Sequence, residues 1–471
     1  MTATSIITDL SLLLPPQRVS VDADELSRVS GDALAAYRAF QRTGGVEVLP
    51  AALVSPTCVE EVSAVAAYAS ERGIPLVPRG GGTGVMGGAV PVEGAIVVEL
   101  RGLDAVHDID REGRRATVGA GAILDDVEDA LVRQGLLLGH DPWSRPIATV
   151  GGAISTNGMG YLAGKYGSMG EQVLGLQVVL GNGDVIETPG VPKVAGPDVD
   201  SLFVGAEGAM GIITRATLIA HPQPEERHLS AYRFNGFMAG YSAVQEMHAI
   251  GLRPAMIDFD EEFPRDGLSQ PDESETTLYL SFEGYREEVA AQVDRGHRIC
   301  VASGGELLPT EEVEEFWRGR HSSAERYKRE VLEHGHAARR QRRPWRMDYL
   351  HVAIPASAVP EYHDYCRRLL AGRGIPVREW SLWGRPEYFS LLISDPSPAD
   401  RPDAALMGRA VDDILSAAQD LGGSMEYCHG VGLKLTHLMR RDRGDAGLEA
   451  LRRVKQALDP QRVLNPGNLD L

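Results

Sequence analysis

Three consecutive glycines, Gly80 to Gly82, stand in the run Pro78-Arg79-Gly80-Gly81-Gly82-Thr83-Gly84, directly after the short apolar stretch Ile74 to Val77. Without Cβ atoms, such a loop lets backbone N–H groups close on a ligand, and diphosphate oxygens are the usual beneficiaries. Before it, Val59, Val62, Val65 and Ala66 recur on one helical face, Thr57 and Glu60 suit a capping box, and Gly73 suits a C-terminal stop. The loop therefore follows helix then strand. A Rossmann loop opens a helix instead, and a Walker loop needs a lysine after its last glycine. A lone glycine run is often only a tight connection. Two further clusters, Thr149 to Gly160 and Gly205 to Ile213, change that balance. One ligand with a long polar spine explains all three.

At 471 residues the chain exceeds one simple core, so two or more domains are expected. Hydrophobic residues at 43% and charged residues at 24% suit a soluble enzyme, and a net charge of −19 argues against nucleic acid and anionic membrane surfaces. One stretch runs against that charge: Arg339, Arg340, Arg342, Arg343 and Arg346 crowd around Pro344 and Trp345. It reads as a solvated basic loop or as a contact for an anionic substrate or an acidic partner. Cys58, Cys300, Cys366 and Cys428 are scattered without metal-ligand spacing, which suggests a reducing compartment and no disulfide framework. No basic leader precedes Leu10 to Leu14, and no apolar run approaches the roughly 20 residues of a membrane span. A cytoplasmic location follows as the expectation.

The pattern is α+β. Residues 1–46 read as a helical segment, clearest from Asp22 to Phe40. Residues 47–225 mix short strands (Ala95 to Leu100, Ala116 to Gly119, Val173 to Leu180, Gly211 to Ile219) with a helix from Leu124 to Val132 stopped by Gly135, and the turn at Gly181 to Asp184 predicts a hairpin. His221 to Arg227 reads as a linker. Residues 226–424 carry longer helices (Glu287 to Val301, Glu311 to Leu332) and strands (Leu278 to Phe282, His351 to Ile354, Tyr388 to Ile393), which suggests an antiparallel sheet covered by helices as a cap domain. Residues 425–471 turn glycine-rich again at His429-Gly430-Val431-Gly432 and Asn465-Pro466-Gly467.

Four motifs in order, Pro78 to Gly84, Thr149 to Gly160 with Lys165-Tyr166-Gly167, Glu207 to Ile213, and His429 to Gly432 with Asn465-Pro466-Gly467, resemble the vanillyl-alcohol oxidase and p-cresol methylhydroxylase flavoprotein superfamily. Within it, the branch of glycolate oxidase, D-lactate dehydrogenase and alkyldihydroxyacetonephosphate synthase is the most similar. The resemblance spans residues 50–471. It implies a two-subdomain FAD-binding domain with FAD stretched between the halves, plus an α+β cap. Pro78, Arg79, Gly80, Gly81, Gly82, Thr83 and Gly84 would cradle the diphosphate. Pro142, Thr149, Gly152, Ser155, Thr156, Asn157 and Gly158 would line the flavin and ribityl side. Glu207, Gly211, Ile212 and Ile213 would hold the adenosine half, with Asn465 completing the cofactor set. The 78–84 loop contains neither histidine nor cysteine, which points to FAD held without a covalent bond.

A flavin oxidises a carbon bearing oxygen by accepting a hydride, and the protein must place that carbon, hold the polar end and take the hydroxyl proton. The resemblance points to His429 as the base, with Tyr388 or Tyr427 sharing the proton work. It points to Arg320, in Trp317-Arg318-Gly319-Arg320, as the partner of a substrate carboxylate. The metal-dependent hydroxy-acid dehydrogenases of the branch carry two histidines and a glutamate where Trp383, Ser390 and Cys428 stand here, so no metal is expected. The expected activity is FAD-dependent oxidation of an alcohol or 2-hydroxy acid. Redox-neutral alkyl transfer, aryl-alcohol oxidation against Trp345, Trp380, Trp383 or Phe389, and a non-enzymatic flavin-binding role are the alternatives. Oxygen, a quinone or a redox protein would suit as electron acceptor, and a homodimer is compatible with the chain.

Overall fold

The computed structural model describes residues 3–33, 48–193, 195–263, 274–330, 347–397 and 403–471. The Arg339 to Arg346 stretch with Trp345, and the end of the expected Asp22 to Phe40 helix, lie outside them. The described part of that helix is only Ala23–Val29, capped by the Asp22 side chain.

A first, four-stranded sheet runs in the order Val19–Ser20, Ala52–Val54, Ile96–Glu99, Leu76–Arg79, and its last three strands are parallel. Helix Val59–Arg72 makes the crossover and buries Val62, Val65, Ala66 and Ala69 against it. The expected Thr57–Glu60 capping box does not form, because Thr57 is not the N-cap and the N-cap makes no side-chain cap bond. Cys58 is extended at the N-cap, so the third helical position is Glu61, whose carboxylate accepts the Thr57 N–H at 2.8 Å. Gly73 closes the helix in the left-handed region, at φ 64°. The strand that follows delivers the glycine loop.

The second sheet is antiparallel, in the order Val106–Asp110, Arg115–Gly119, Ile212–Ile219, Val173–Val179, Val185–Glu187, with the expected hairpin between the last two. His221 to Arg227 does not behave as a free linker. His221–Pro222 pairs with Leu136–Leu137, and Glu226 already opens a strand that runs to Phe234.

That strand enters a third, seven-stranded antiparallel sheet, ordered Glu306–Leu307, Glu226–Phe234, Glu275–Gly284, Met256–Glu262, Val377–Trp383, Tyr388–Ser394, Met347–Ala353. Phe237, Tyr241, Phe259, Tyr362 and Phe389 fill the core between it and its helices. The expected long helix from Glu311 breaks. It runs Thr310–Gly319, turns at Arg320 and His321, and resumes over 322–330. Gly319 is a poor helix former at that point, and the turn brings Arg320 and His321 to Asp141.

The chain end returns to the first sheet. After helix Met439–Leu458, Leu464 bridges Leu76. Lys455, almost fully buried, locks this return: its Nζ donates to the carbonyls of Ala209 and Leu464 and to Asp459 Oδ2, at 2.6, 2.8 and 2.5 Å. Asp459 in turn accepts the N–H groups of Val463 and Leu464. Removing one member of a buried pair strands the other charge, at a cost of about 3–5 kcal/mol. Lys455→Met is therefore expected to lower the thermal midpoint sharply, while Lys455→Met with Asp459→Asn recovers part of the loss. Calorimetry on the single and double variants checks this.

Candidate functional site

The three glycine clusters line one cleft. Its lining includes Pro78 to Gly84, Pro142, Thr149, Gly152, Ser155, Thr156 and Gly158, and Glu207, Gly211, Ile212 and Ile213. Ile257, Asp258 and Trp383 of the third sheet, with Cys428 and His429 of the C-terminal loop, also line it.

The glycines are required by close approach. A Cβ on Gly81 would meet the Ile147 carbonyl oxygen at 2.2 Å, and one on Gly80 would meet Thr149 Oγ1 at 2.2 Å. Arg79 passes beneath the loop, buried, donating to the Gly31 carbonyl at 2.6 Å. Helix 322–330 packs against the loop, with the Tyr327 hydroxyl donating to the Gly82 carbonyl at 3.3 Å. Thr149 caps the next short helix, Val150–Thr156, through the Gly152 N–H.

Asn157 and Asn465 do not line the cleft. Asn157 closes that short helix in a left-handed conformation and its Oδ1 accepts the Gly170 N–H. Asn465 Nδ2 donates to the carbonyls of Gly88 and Glu207, at 2.7 and 2.6 Å. Both shape the walls from behind. Glu207 lines the cleft, and its carboxylate accepts the backbone N–H groups of Val431 and Gly432, fastening the C-terminal loop to the cleft wall.

Glu207, Glu426 and Asp258 are all buried near the cleft, and desolvation pushes them up to about 7, 7 and 8 respectively. Each holds a proton in the folded chain over a range where the unfolded chain has released it. Their contribution to stability is therefore complete below the ordinary carboxylate range and is lost as pH rises through those values. Glu207→Gln is expected to flatten the fall of the thermal midpoint between about pH 5 and pH 8. Thermal scans at fixed ionic strength across that range check it.

The C-terminal loop is held stiff by Glu426, whose carboxylate accepts the N–H groups of Tyr427, Cys428 and His429. His429 Nδ1 lies 3.3 Å from Cys428 Sγ and 3.8 Å from Glu426 Oε1. Tyr388 and Tyr427 stack with ring centroids 4.5 Å apart, and neither lines the cleft. The Tyr427 hydroxyl meets Ser390 Oγ at 2.9 Å, and Ser390 meets His351 Nδ1 at 2.7 Å.

Arg320 also stands behind the wall. Its Nε donates to Asp141 Oδ2 at 2.8 Å, its Nη1 donates to the Trp317 carbonyl, and its guanidinium lies over the Trp317 ring. Asp141, which also takes Arg145 and His321, is held well below the usual carboxylate range by these partners against its burial. The Arg320 carbonyl accepts from Tyr161, a cleft residue.

Sequence reasoning missed four residues at the site. His140 is buried in the cleft wall with its Nδ1 unbonded, and desolvation lowers its pKa to about 4, so the ring is neutral. Tyr161 lines the cleft beside it. Asp258 lies in the strand Met256–Glu262 with three other acidic residues, Asp260, Glu261 and Glu262, so its residue type alone does not set it apart. His351 pairs across strands with Ser390, one of the positions inspected for metal ligands, and the sheet register so brings an imidazole beside Cys428 and His429.

Comparison with known proteins fits this geometry. Residues 50–189 match a family model described as an FAD binding domain, and residues 223–469 match one described as FAD linked oxidases, C-terminal domain. A glycolate oxidase component of Bacillus subtilis (strain 168) is 28% identical over 91% of this chain and 91% of its own length. A probable mitochondrial D-lactate dehydrogenase of Danio rerio is 28% identical over 89% of this chain and 84% of its own. Among solved structures, p-cresol methylhydroxylase with substrate bound superposes with a TM-score of 0.79 at 19% identity, over 99% of this chain and 96% of that one.

Proposed function

The chain belongs to the FAD-linked oxidases, and from that premise we propose that it oxidises a 2-hydroxy acid by transfer of a hydride to bound FAD. The observation that carries this reading is the cleft itself: one continuous groove runs from the glycine loop to a histidine on the C-terminal loop. FAD fits the residues present. Gly80 and Gly81 carry no Cβ that would collide with Thr149 and Ile147, so the loop's backbone lies close along the cleft, and the buried His140 Nδ1 in the cleft wall is a polar atom without a partner. When bound, FAD supplies the hydride acceptor.

The chain's own residues supply the rest. His429 accepts the hydroxyl proton of the substrate, and Glu426 holds its loop rigid through three backbone bonds. The Tyr427–Ser390–His351 chain of hydrogen bonds lies beside it and offers a route for the proton, with Tyr388 stacked on the outer ring. The sheet over residues 226–424 acts as the substrate cap and residues 47–225 as the FAD-binding domain. The glycine loop holds FAD non-covalently, so acid precipitation releases the yellow cofactor into the supernatant. Among the described residues no helix is long and apolar enough to cross a membrane, in keeping with a cytoplasmic enzyme.

Anaerobic addition of a panel of D- and L-2-hydroxy acids to the purified yellow protein tests the activity. Bleaching of the flavin is expected with at least one. Bleaching by dithionite but by no acid in the panel sinks the reading. Arg320→Ala then tests the carboxylate partner. If Arg320 takes the substrate carboxylate, KM rises about 10- to 150-fold with kcat kept, the equivalent of about 1.5–3 kcal/mol. If Arg320 serves only to hold Asp141, FAD retention changes and KM does not.

A further inference from the structure

We propose that Asp258 and Trp383 form a subsite for an organic cation, so that the preferred 2-hydroxy acid carries an ammonium group at the end remote from its hydroxyl. The hydroxy-acid half of this statement rests on the function proposed above; the cation subsite rests on the cleft alone. Asp258 stands in the strand Met256–Glu262, and Trp383 ends the neighbouring strand Val377–Trp383. The two are directly opposed across the antiparallel pair, which puts both side chains on one face with Cβ atoms about 4.5–5.5 Å apart. Both line the cleft.

Asp258 is 8% exposed, and no described residue donates a hydrogen bond to its carboxyl. The neighbouring Tyr161 hydroxyl is directed instead to the Arg320 carbonyl. Buried polar side chains have partners as a rule, and the space this carboxyl faces is the cleft, so a ligand group is the partner it lacks.

The sign of that group follows from the surroundings. Alternate residues of a strand share a face, so Asp260 and Glu262 lie on the same side of the sheet as Asp258, and Glu379 is opposed to Glu262. This acidic row repels a second carboxylate. Burial and the charges of Glu379 and Glu262 keep a proton on Asp258 in the empty cleft. An arriving ammonium reverses that balance, and the proton leaves to solvent. Among the described residues lining the cleft, Arg79 carries the one fixed positive charge, and it lies in the glycine loop, bonded to the Gly31 carbonyl. A carboxylate beside an indole suits an ammonium on two counts: a charge-assisted hydrogen bond from one and attraction to the ring of the other.

The test uses the full-length, FAD-loaded protein. Anaerobic stopped-flow compares 2-hydroxybutyrate, 2-hydroxypentanoate and 2-hydroxyhexanoate, each against its ω-amino counterpart. At least one ω-amino acid is expected to reduce the flavin about 10- to 150-fold more efficiently than its plain counterpart, the worth of a charge-assisted bond. Asp258→Asn should bring that ratio close to unity, and Trp383→Leu should lower it several-fold, with FAD content confirming that each variant folds. Binding is read separately, from the perturbation of the flavin absorption by the ω-amino alkanoates that lack the hydroxyl, against the matching alkanoates. No preference for the amine in the parent protein, by reduction or by binding, overturns the subsite. A preference that persists undiminished in both variants places the cation elsewhere and overturns it as well. Flavin that no hydroxy acid reduces counts against the proposed activity instead; amine-selective binding that Asp258→Asn abolishes still supports the subsite.

Discussion

His429→Ala is expected to leave FAD bound and to slow flavin reduction by the substrate about 10²- to 10⁴-fold, the usual contribution of a positioned general base. Two features argue that the loss falls on chemistry and not on folding. The bonds that hold the loop come from backbone groups, the N–H of His429 to Glu426 and those of Val431 and Gly432 to Glu207, and alanine keeps all of them. The side chain itself is partly exposed toward the cleft and contributes little to the core. Stopped-flow flavin reduction under anaerobic conditions is the measurement, with dithionite reduction as the control for an intact flavin. Added imidazole should restore part of the rate, because the truncated side chain leaves room on the cleft side. A rate within a few-fold of the parent's would remove His429 from proton transfer and leave Tyr427, through Ser390 and His351, as the remaining hydrogen-bonded acid–base group beside the site.

How much of this was legible in the sequence depended on whether the signal was local. Glycine has a local meaning wherever a Cβ would collide, so the 78–84 loop, the hairpin after Val179 and the stop at Gly73 could all be read from the letters. The three inner strands of the second sheet were equally plain, because apolar runs mark them, whereas the exposed edge strand Val106–Asp110 carries only Val106 and Ile109 and gives no such signal. Caps and boundaries were less so. Glu60 and Glu61 are equally good carboxylates, and only the extended backbone at Cys58 decides which of them reaches Thr57. The linker at His221 to Arg227 failed for a different reason. Its pairing partners lie at Leu136–Leu137 and in the strand Glu275–Gly284, and no local pattern announces a partner that distant.

The site itself divides the same way. Positions carried by a motif, such as Ser155 or Ile212, fall on the cleft wall. Asn157 and Asn465 sit in equally clear motifs yet support the wall from behind, because a side chain's direction is set by a left-handed backbone at each, φ 51° and 39°. Arg320 shows the limit most clearly. Its residue type suits a carboxylate, and the buried carboxylate it meets in the fold is Asp141, 179 positions away in the chain. His351 was invisible for the converse reason, since a lone histidine in an apolar strand carries no signal until the sheet register sets it against Ser390.

The same geometry makes the glycine loop the other point of greatest sensitivity. Gly81→Ala places a methyl group 2.2 Å from the Ile147 carbonyl oxygen and 3.3 Å from Ala148 Cα. Both obstacles are backbone, so no rotamer can make way, and the two walls of the cleft must part or the loop must move. Overpacking of that kind costs about 1–3 kcal/mol. With the loop closing around the diphosphate as proposed, the strain should appear mainly on binding, weakening FAD about 5- to 150-fold at roughly 1.4 kcal/mol per tenfold. Gly81→Val should be worse. Gly372→Ala is the control: it lies in helix Val359–Arg373 with nothing within 4 Å of an added Cβ, so it should be neutral or stabilise by up to about 1 kcal/mol. FAD content after gel filtration and the dissociation constant from flavin fluorescence report the difference. If Gly81→Ala retains FAD as tightly as Gly372→Ala, the loop does not close on the cofactor, and its glycines serve only the packing of the first sheet against Ile147.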